Sequence, residues 1–256
     1  MDRAKLDRLF DMSGRVVVVT GGTRGIGLAL AQGYVAAGAK VVVASRKPEA
    51  CEQAAALLRS QGGEAIGVPT HTGDLDSLKA LVVAAVEAFG GIDVVVNNAA
   101  NALTQPLGSF TPEAWQKSFD VNLRGPVFLV QEALPYLKES EHAAVLNMIS
   151  AGAFLFAAWT SIYSAGKAAL LSFTRGMAAD FAPHGIRVNA LAPGSVDTDM
   201  VRNNPPEVQE RLGAASLMGR IASPDEIVGP ALLLTSDAGS FVTGQVLLVD
   251  GGLVPH

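Results

Sequence analysis

Residues 15–20 read Arg-Val-Val-Val-Val-Thr and run directly into Gly21, with further glycines at 25 and 27 ahead of a segment of helical period. A β-branched run without polar alternation is a strand covered on both faces, and glycines at its exit mark a tight turn into a helix. Similar runs recur at 40–45, 64–69, 92–97, 144–149, 186–192 and 245–249. Helical periods fill 26–37, 49–60, 76–89, 112–138, 161–182 and 225–236. Strands alternating with helices predict right-handed crossovers and an α/β fold, a doubly wound parallel sheet of about seven strands with helices on both faces.

At 256 residues the chain has the length of one large domain, spanning 1–256. Its hydrophobic fraction of 49% fits a doubly covered sheet, and no run of eighteen apolar residues is present to cross a bilayer. A net charge of −5 gives nucleic acid no general attraction. The charged start, Met1-Asp-Arg-Ala-Lys-Leu-Asp-Arg-Leu-Phe10, is unlike a secretory signal, and Cys51 alone permits no intrachain disulfide, so a cytoplasmic location is expected. The four histidines lack metal-ligand spacing, and no metal is expected.

In the turn Thr20-Gly-Gly-Thr-Arg-Gly-Ile-Gly27, absent side chains let backbone approach a pyrophosphate at a helix amino end; tight packing alone is the alternative. The second strand, Lys40-Val-Val-Val-Ala-Ser45, is followed by Arg46 about where an NAD-specific site carries a carboxylate. Arg46, with Arg24 from the turn, can meet a 2′-phosphate by charge-assisted hydrogen bonds of roughly 1.5–3 kcal/mol, which predicts NADP(H) over NAD(H) unless both arginines are simply solvated.

Tyr163 and Lys167 in Tyr163-Ser-Ala-Gly-Lys167 stand four apart, and a helix brings their side chains together. Proton exchange near neutrality requires the phenol, at about 10, to be lowered by a few units. An ammonium at about 5 Å supplies roughly 0.8 kcal/mol in water and about 3.3 kcal/mol at an effective dielectric near 20, so the pair needs an enclosed site. Ser150 ends the apolar run Ala144-Val-Leu-Asn-Met-Ile149, where its hydroxyl can hold a substrate oxygen near Tyr163. Phe154, Phe156 and Trp159 lie between these two residues as a substrate wall or as core. Residues 195–223, which include Met200, form the one irregular stretch, and their place after a strand suits a substrate lid.

Taken in order, these motifs resemble the short-chain dehydrogenase/reductases of the single-domain type, over residues 14–252. The resemblance implies a Rossmann-like fold and an NADP-dependent oxidoreductase acting on a small-molecule ketone or secondary alcohol. It implies catalytic roles for Asn122, Ser150, Tyr163 and Lys167, with Tyr163 as general acid/base, Asn122 supporting a relay water and Lys167 also binding the nicotinamide ribose. Coenzyme contacts are implied for Gly21, Thr23, Arg24, Gly25, Ile26, Gly27, Ser45 and Arg46 and for Asp74 and Leu75 at the adenine. They continue through Asn98, Ala99, Tyr163, Lys167, Pro193, Gly194, Val196 and Thr198. A homotetramer joined through 112–138 and 161–182 is also implied, an expectation that a stable monomer in sedimentation would remove.

Position 100 is alanine where the family pattern has glycine. Two alternatives stay open: reduction of a 3-oxoacyl thioester on acyl carrier protein or CoA, and a non-catalytic NADP-binding sensor or scaffold. Few fixed cations stand in Lys138-Glu-Ser-Glu-His142 and Ala182-Pro-His-Gly185, which weakens docking of an acidic carrier.

Overall fold

The computed structural model describes residues 2–155 and 158–254. Seven strands form one sheet: β1 (Val16–Thr20), β2 (Lys40–Ser45), β3 (Glu64–Pro69), β4 (Val94–Asn97), β5 (Ala144–Met148), β6 (Arg187–Pro193) and β7 (Val246–Val249). Their spatial order is β3-β2-β1-β4-β5-β6-β7, and every pairing is parallel. The order reverses between β1 and β4, so the crevice beyond the carboxyl ends of those strands is the switch point where such sheets bind ligands.

Among the described residues ten α-helices accompany the strands: α1 (Arg3–Leu9), α2 (Gly25–Ala36), α3 (Pro48–Ser60), α4 (Leu75–Phe89), α5 (Pro112–Phe119), α6 (Gly125–Glu139), α7 (Ser161–Phe181), α8 (Asp199–Arg202), α9 (Pro206–Ala214) and α10 (Val228–Thr235). Alternation of side chains along β1 explains its unbroken apolar run. Val17 and Val19 pack with Leu30, Tyr34, Leu58 and Leu234 on one face. Val18 packs with Leu78, Leu81, Leu129 and Met177 on the other.

Two differences from the sequence reading stand out. The N-terminal helix α1 buries none of its residues, so it lacks the apolar stripe by which a docked helix is recognised. Residues 112–138, expected as one helix, are α5 and α6 joined by a π-helical turn at Asp120–Arg124. Pro126 has no N–H to offer the Asn122 carbonyl four residues back, and a Cβ at Gly125 would lie 2.0 Å from the Thr72 carbonyl oxygen. The Gly-Pro pair thus marks both a close approach and a change of helical pitch.

Buried polar contacts hold α7 in register with the central strands. Asn97 Nδ2 donates to Asn147 Oδ1 at 2.8 Å, and Asn147 Nδ2 donates to Thr174 Oγ1 at 2.9 Å. Thr174 Oγ1 in turn donates to the Leu170 carbonyl at 2.8 Å, so each buried group has a partner and α7 cannot slide without breaking the chain. Among the described residues no helix is long and apolar enough to cross a membrane.

Candidate active site

The glycine turn leaves β1 with positive φ at Gly21 (65°) and Gly25 (52°), conformations that disfavour a side chain. A Cβ at Gly27 would stand 2.2 Å from the Gly21 carbonyl oxygen and 2.5 Å from Asn98 Nδ2. Asn98 Nδ2 donates to the carbonyls of Thr20 at 2.9 Å and Gly21 at 3.2 Å, while Asn98 N and Ala99 N both donate to Thr20 Oγ1. The loop after β4 therefore braces the turn after β1. Arg24, at the N-cap of α2, makes no side-chain cap bond, so the first-turn N–H groups of the helix are left for an anion. Glycine-enforced compaction and an uncapped helix end fit the pyrophosphate of a dinucleotide.

Ser45 is half-buried and Arg46 is exposed at the end of β2. Asp74 N-caps α4, accepting from Asp76 N at 3.0 Å and Ser77 N at 3.4 Å, and Leu75 packs against the core. Ala100 is exposed and lies outside the positive-φ region, so its methyl is accommodated. At the end of β6, a Cβ on Gly194 would meet Asp250 Cα at 2.9 Å, and buried Val196 forms an isolated bridge with Ala222. Thr198 then touches the glycine turn, its Cγ2 3.0 Å from where a Gly25 Cβ would be.

Ser150, Tyr163 and Lys167 come together at the carboxyl end of β5. The Ser150 hydroxyl accepts from Gly152 N at 3.1 Å and shares a hydrogen bond with the Tyr163 phenol. Lys167 is 1% exposed, and its Nζ lies 5.7 Å from the Tyr163 ring centroid. The ammonium donates to the Met148 carbonyl at 2.7 Å.

The electrostatics differ from the sequence expectation. Burial raises the Tyr163 phenol above its ordinary value, and the Ser150 hydrogen bond offsets only part of this. Burial likewise lowers Lys167 to about 8. Enclosure penalises the charged form of each partner, and the ammonium is engaged by Met148 rather than by the phenol oxygen. In this structure Lys167 alone does not bring the phenol down.

The Asn122 side chain makes contacts of its own. Its Oδ1 accepts from Asn101 N at 3.0 Å, and its Nδ2 donates to the Asn101 carbonyl at 2.8 Å and to Ser118 Oγ at 3.2 Å. The fully buried side chain is a two-way clip on the loop after β4. Farther along that loop, Gln105 N donates to the Trp159 carbonyl at 2.8 Å. Trp159 has φ 75°, the only positive value at a non-glycine position among the described residues.

Phe154, Trp159 and Met200 are 39%, 57% and 51% exposed, which removes the core alternative for Phe154 and Trp159. Phe156 lies outside the described residues. The sequence reading singled out neither Asn101, Gln105 nor Asp199, which pairs with Arg24 at 2.8 Å. For Asn101 and Gln105 the signal was the long interval between β4 and α5, and for Asp199 its place in the irregular stretch 195–223. Among the described residues no three His, Cys, Asp or Glu side chains converge as metal ligands.

A family model described as Enoyl-(Acyl carrier protein) reductase matches residues 21–254. The chain belongs to the short-chain dehydrogenase/reductase family. Members of this family are nicotinamide-dependent oxidoreductases, and this dehydrogenase/reductase has several similar curated relatives. It is 38% identical over 246 residues to an L-rhamnose 1-dehydrogenase (NAD(P)(+)) of Azotobacter vinelandii, covering 93% of this chain and 96% of the relative. It is also 38% identical over 239 residues to a cis-4-hydroxycyclohexanecarboxylate dehydrogenase of Sinomonas cyclohexanicum, with the same coverages, 93% and 96%. A crystal structure of a short-chain type dehydrogenase/reductase from Mycobacterium marinum superimposes with TM-score 0.93 at 30% identity, covering 98% of this chain and 99% of that one.

Proposed function

We propose that this protein oxidises a small secondary alcohol, or reduces the corresponding ketone, with NADP(H) as coenzyme and Tyr163 as general acid/base. The observation that carries the reading is the Ser150–Tyr163–Lys167 cluster at the carboxyl edge of the sheet whose β1 leads into the glycine turn. The coenzyme, when bound, supplies the hydride donor or acceptor and, in its oxidised form, a positive ring charge. Gly21, Thr23, Gly25, Ile26 and Gly27 hold its phosphates through backbone, with Asn98, Ala99, Pro193, Gly194, Val196 and Thr198 closing the remaining walls and Asp74 and Leu75 at the adenine. Ser150 aligns the substrate oxygen, and the proton on Tyr163 Oη passes to that oxygen in reduction and returns in oxidation. Lys167 together with the ring charge of the oxidised coenzyme would hold the phenolate, and its ammonium would hydrogen-bond the ribose. Residues 195–223 would act as a lid, with Met200, Phe154 and Trp159 facing an apolar part of the substrate.

The relatives named for L-rhamnose and cis-4-hydroxycyclohexanecarboxylate support an alcohol substrate. A panel of such alcohols and their ketones, followed at the nicotinamide absorbance band, tests the reading; no turnover across the panel despite tight coenzyme binding would favour the sensor alternative. The thioester alternative shares with the description of the matching family model only the acyl carrier; turnover of 3-oxoacyl thioesters and not of simple ketones would promote it.

Preference for the 2′-phosphate rests on exposed Arg46, with Arg24 from the glycine turn as its second ligand, and on Ser45 in place of a carboxylate. Arg46→Asp is expected to shift the NADPH/NADH ratio of kcat/KM by about 10- to 100-fold towards NADH, through loss of a charge-assisted bond and gain of repulsion. An unchanged ratio would sink the assignment. Assembly as a homotetramer through α5, α6 and α7 fits the exposed Trp115 and Phe173 on those helices, and a cytoplasmic location fits the sequence reading.

A further inference from the structure

Arg24 is the only cation in the glycine turn, and it already has a partner. Its Nη1 lies 2.8 Å from Oδ2 of Asp199, the first residue of α8. The pair joins residues 175 apart in sequence, bringing the coenzyme turn to the root of the proposed lid. The neighbouring Arg202 is held by both carboxylate oxygens of Asp197, at 2.7 and 2.9 Å, so Asp199 feels its charge but makes its hydrogen bond to Arg24. Asp197, Asp199, Arg202 and Gly25 border one pocket open to solvent, and Arg24 reaches Asp199 at its edge.

Both members of the pair are well exposed, with side chains 74% and 52% accessible, so the contact is weak and exchangeable. A phosphate group carries more charge and more acceptor oxygens than a carboxylate, and it competes for the same guanidinium. Arg46 has no ion-pair or hydrogen-bond partner among the described residues and meets no such competition.

We infer that Asp199 is a specificity-setting positioning residue: it holds Arg24 in an internal ion pair and so lowers the affinity of the site for a 2′-phosphorylated nucleotide. The inference rests on the proposed reading of Arg24 as a 2′-phosphate ligand. Removal of the Asp199 charge leaves Arg24 free for the ligand, and the gain is confined to nucleotides that bear the 2′-phosphate.

The test is calorimetric binding of 2′,5′-ADP and of 5′-AMP to the full chain at fixed ionic strength, with wild type, Asp199→Asn, Arg24→Ala and the double variant. Asp199→Asn is expected to tighten 2′,5′-ADP by about two- to five-fold, the range that a weak exposed ion pair allows, and to leave 5′-AMP unchanged. The gain should disappear in the Arg24→Ala background. If wild type binds the two nucleotides alike and Arg24→Ala alters neither, the 2′-phosphate reading itself falls. If Arg24→Ala weakens 2′,5′-ADP while Asp199→Asn changes nothing, only the role of Asp199 falls. Equal tightening of both nucleotides, or tightening that survives without Arg24, overturns the inference as well. Asp199→Ser provides a second variant at the same exposed position.

Discussion

Tyr163→Phe is expected to reduce turnover by about 10²- to 10⁴-fold, the contribution of a positioned general acid/base, while coenzyme affinity stays near wild type. The substitution removes one oxygen and keeps the ring, so the packing of α7 is preserved. Ser150 loses its phenol partner but still accepts from Gly152 N. Turnover on the best alcohol of the panel, alongside calorimetric coenzyme binding, measures both quantities. A variant with wild-type rates would remove Tyr163 from the chemistry and support the sensor reading. A variant that loses coenzyme binding in parallel would point to misfolding, which thermal unfolding distinguishes.

Lys167→Met is expected to combine near-complete loss of turnover with a gain in stability at neutral pH. Burial lowers the lysine from 10.5 to about 8, so folding at pH 7 carries the cost of enclosing a charge. At about 1.36 kcal/mol per unit, that cost is about 3 kcal/mol, and losing the charge-assisted bond to the Met148 carbonyl returns about 2 kcal/mol of it. The net gain is about 1 kcal/mol.

The sign follows from linkage: the folded pKa lies below the unfolded value, so the unfolded chain binds more protons between about pH 8 and 10.5, and wild-type stability rises with pH there. Above about 10.5 the lysine is neutral in both states and the cost vanishes; as pH falls through about 8 the cost becomes complete. The advantage of the methionine variant should therefore be largest at pH 7 and shrink as pH is raised. Denaturant unfolding at several pH values measures it. A variant less stable than wild type at pH 7 would show that Lys167 is tied into the fold more strongly than its burial indicates.

The strands were legible because a parallel sheet covered on both faces needs apolar side chains at consecutive positions, as Val16–Thr20 shows. The spacing of Tyr163 and Lys167 was legible for a related reason: four residues make one helical turn, and both lie on α7. The π-helical turn was not read, although Gly125 and Pro126 carry its cause, because apolar periodicity continues across it. Asn122 was placed near the site, but its clip on Asn101 joins residues 21 apart through a loop of no regular pattern. The Arg24–Asp199 pair and the raised phenol depend on tertiary proximity and on dielectric surroundings. Neither leaves a mark in a linear pattern.

The loop after β4 is fastened to Asn122 through Asn101 and to the Trp159 carbonyl through Gln105. Residues 102–104 thus hang between two fixed posts, neither of which is Tyr163. Asn101 and Gln105 make these bonds through backbone atoms, so the span between them can change in composition while both of its ends stay where they are.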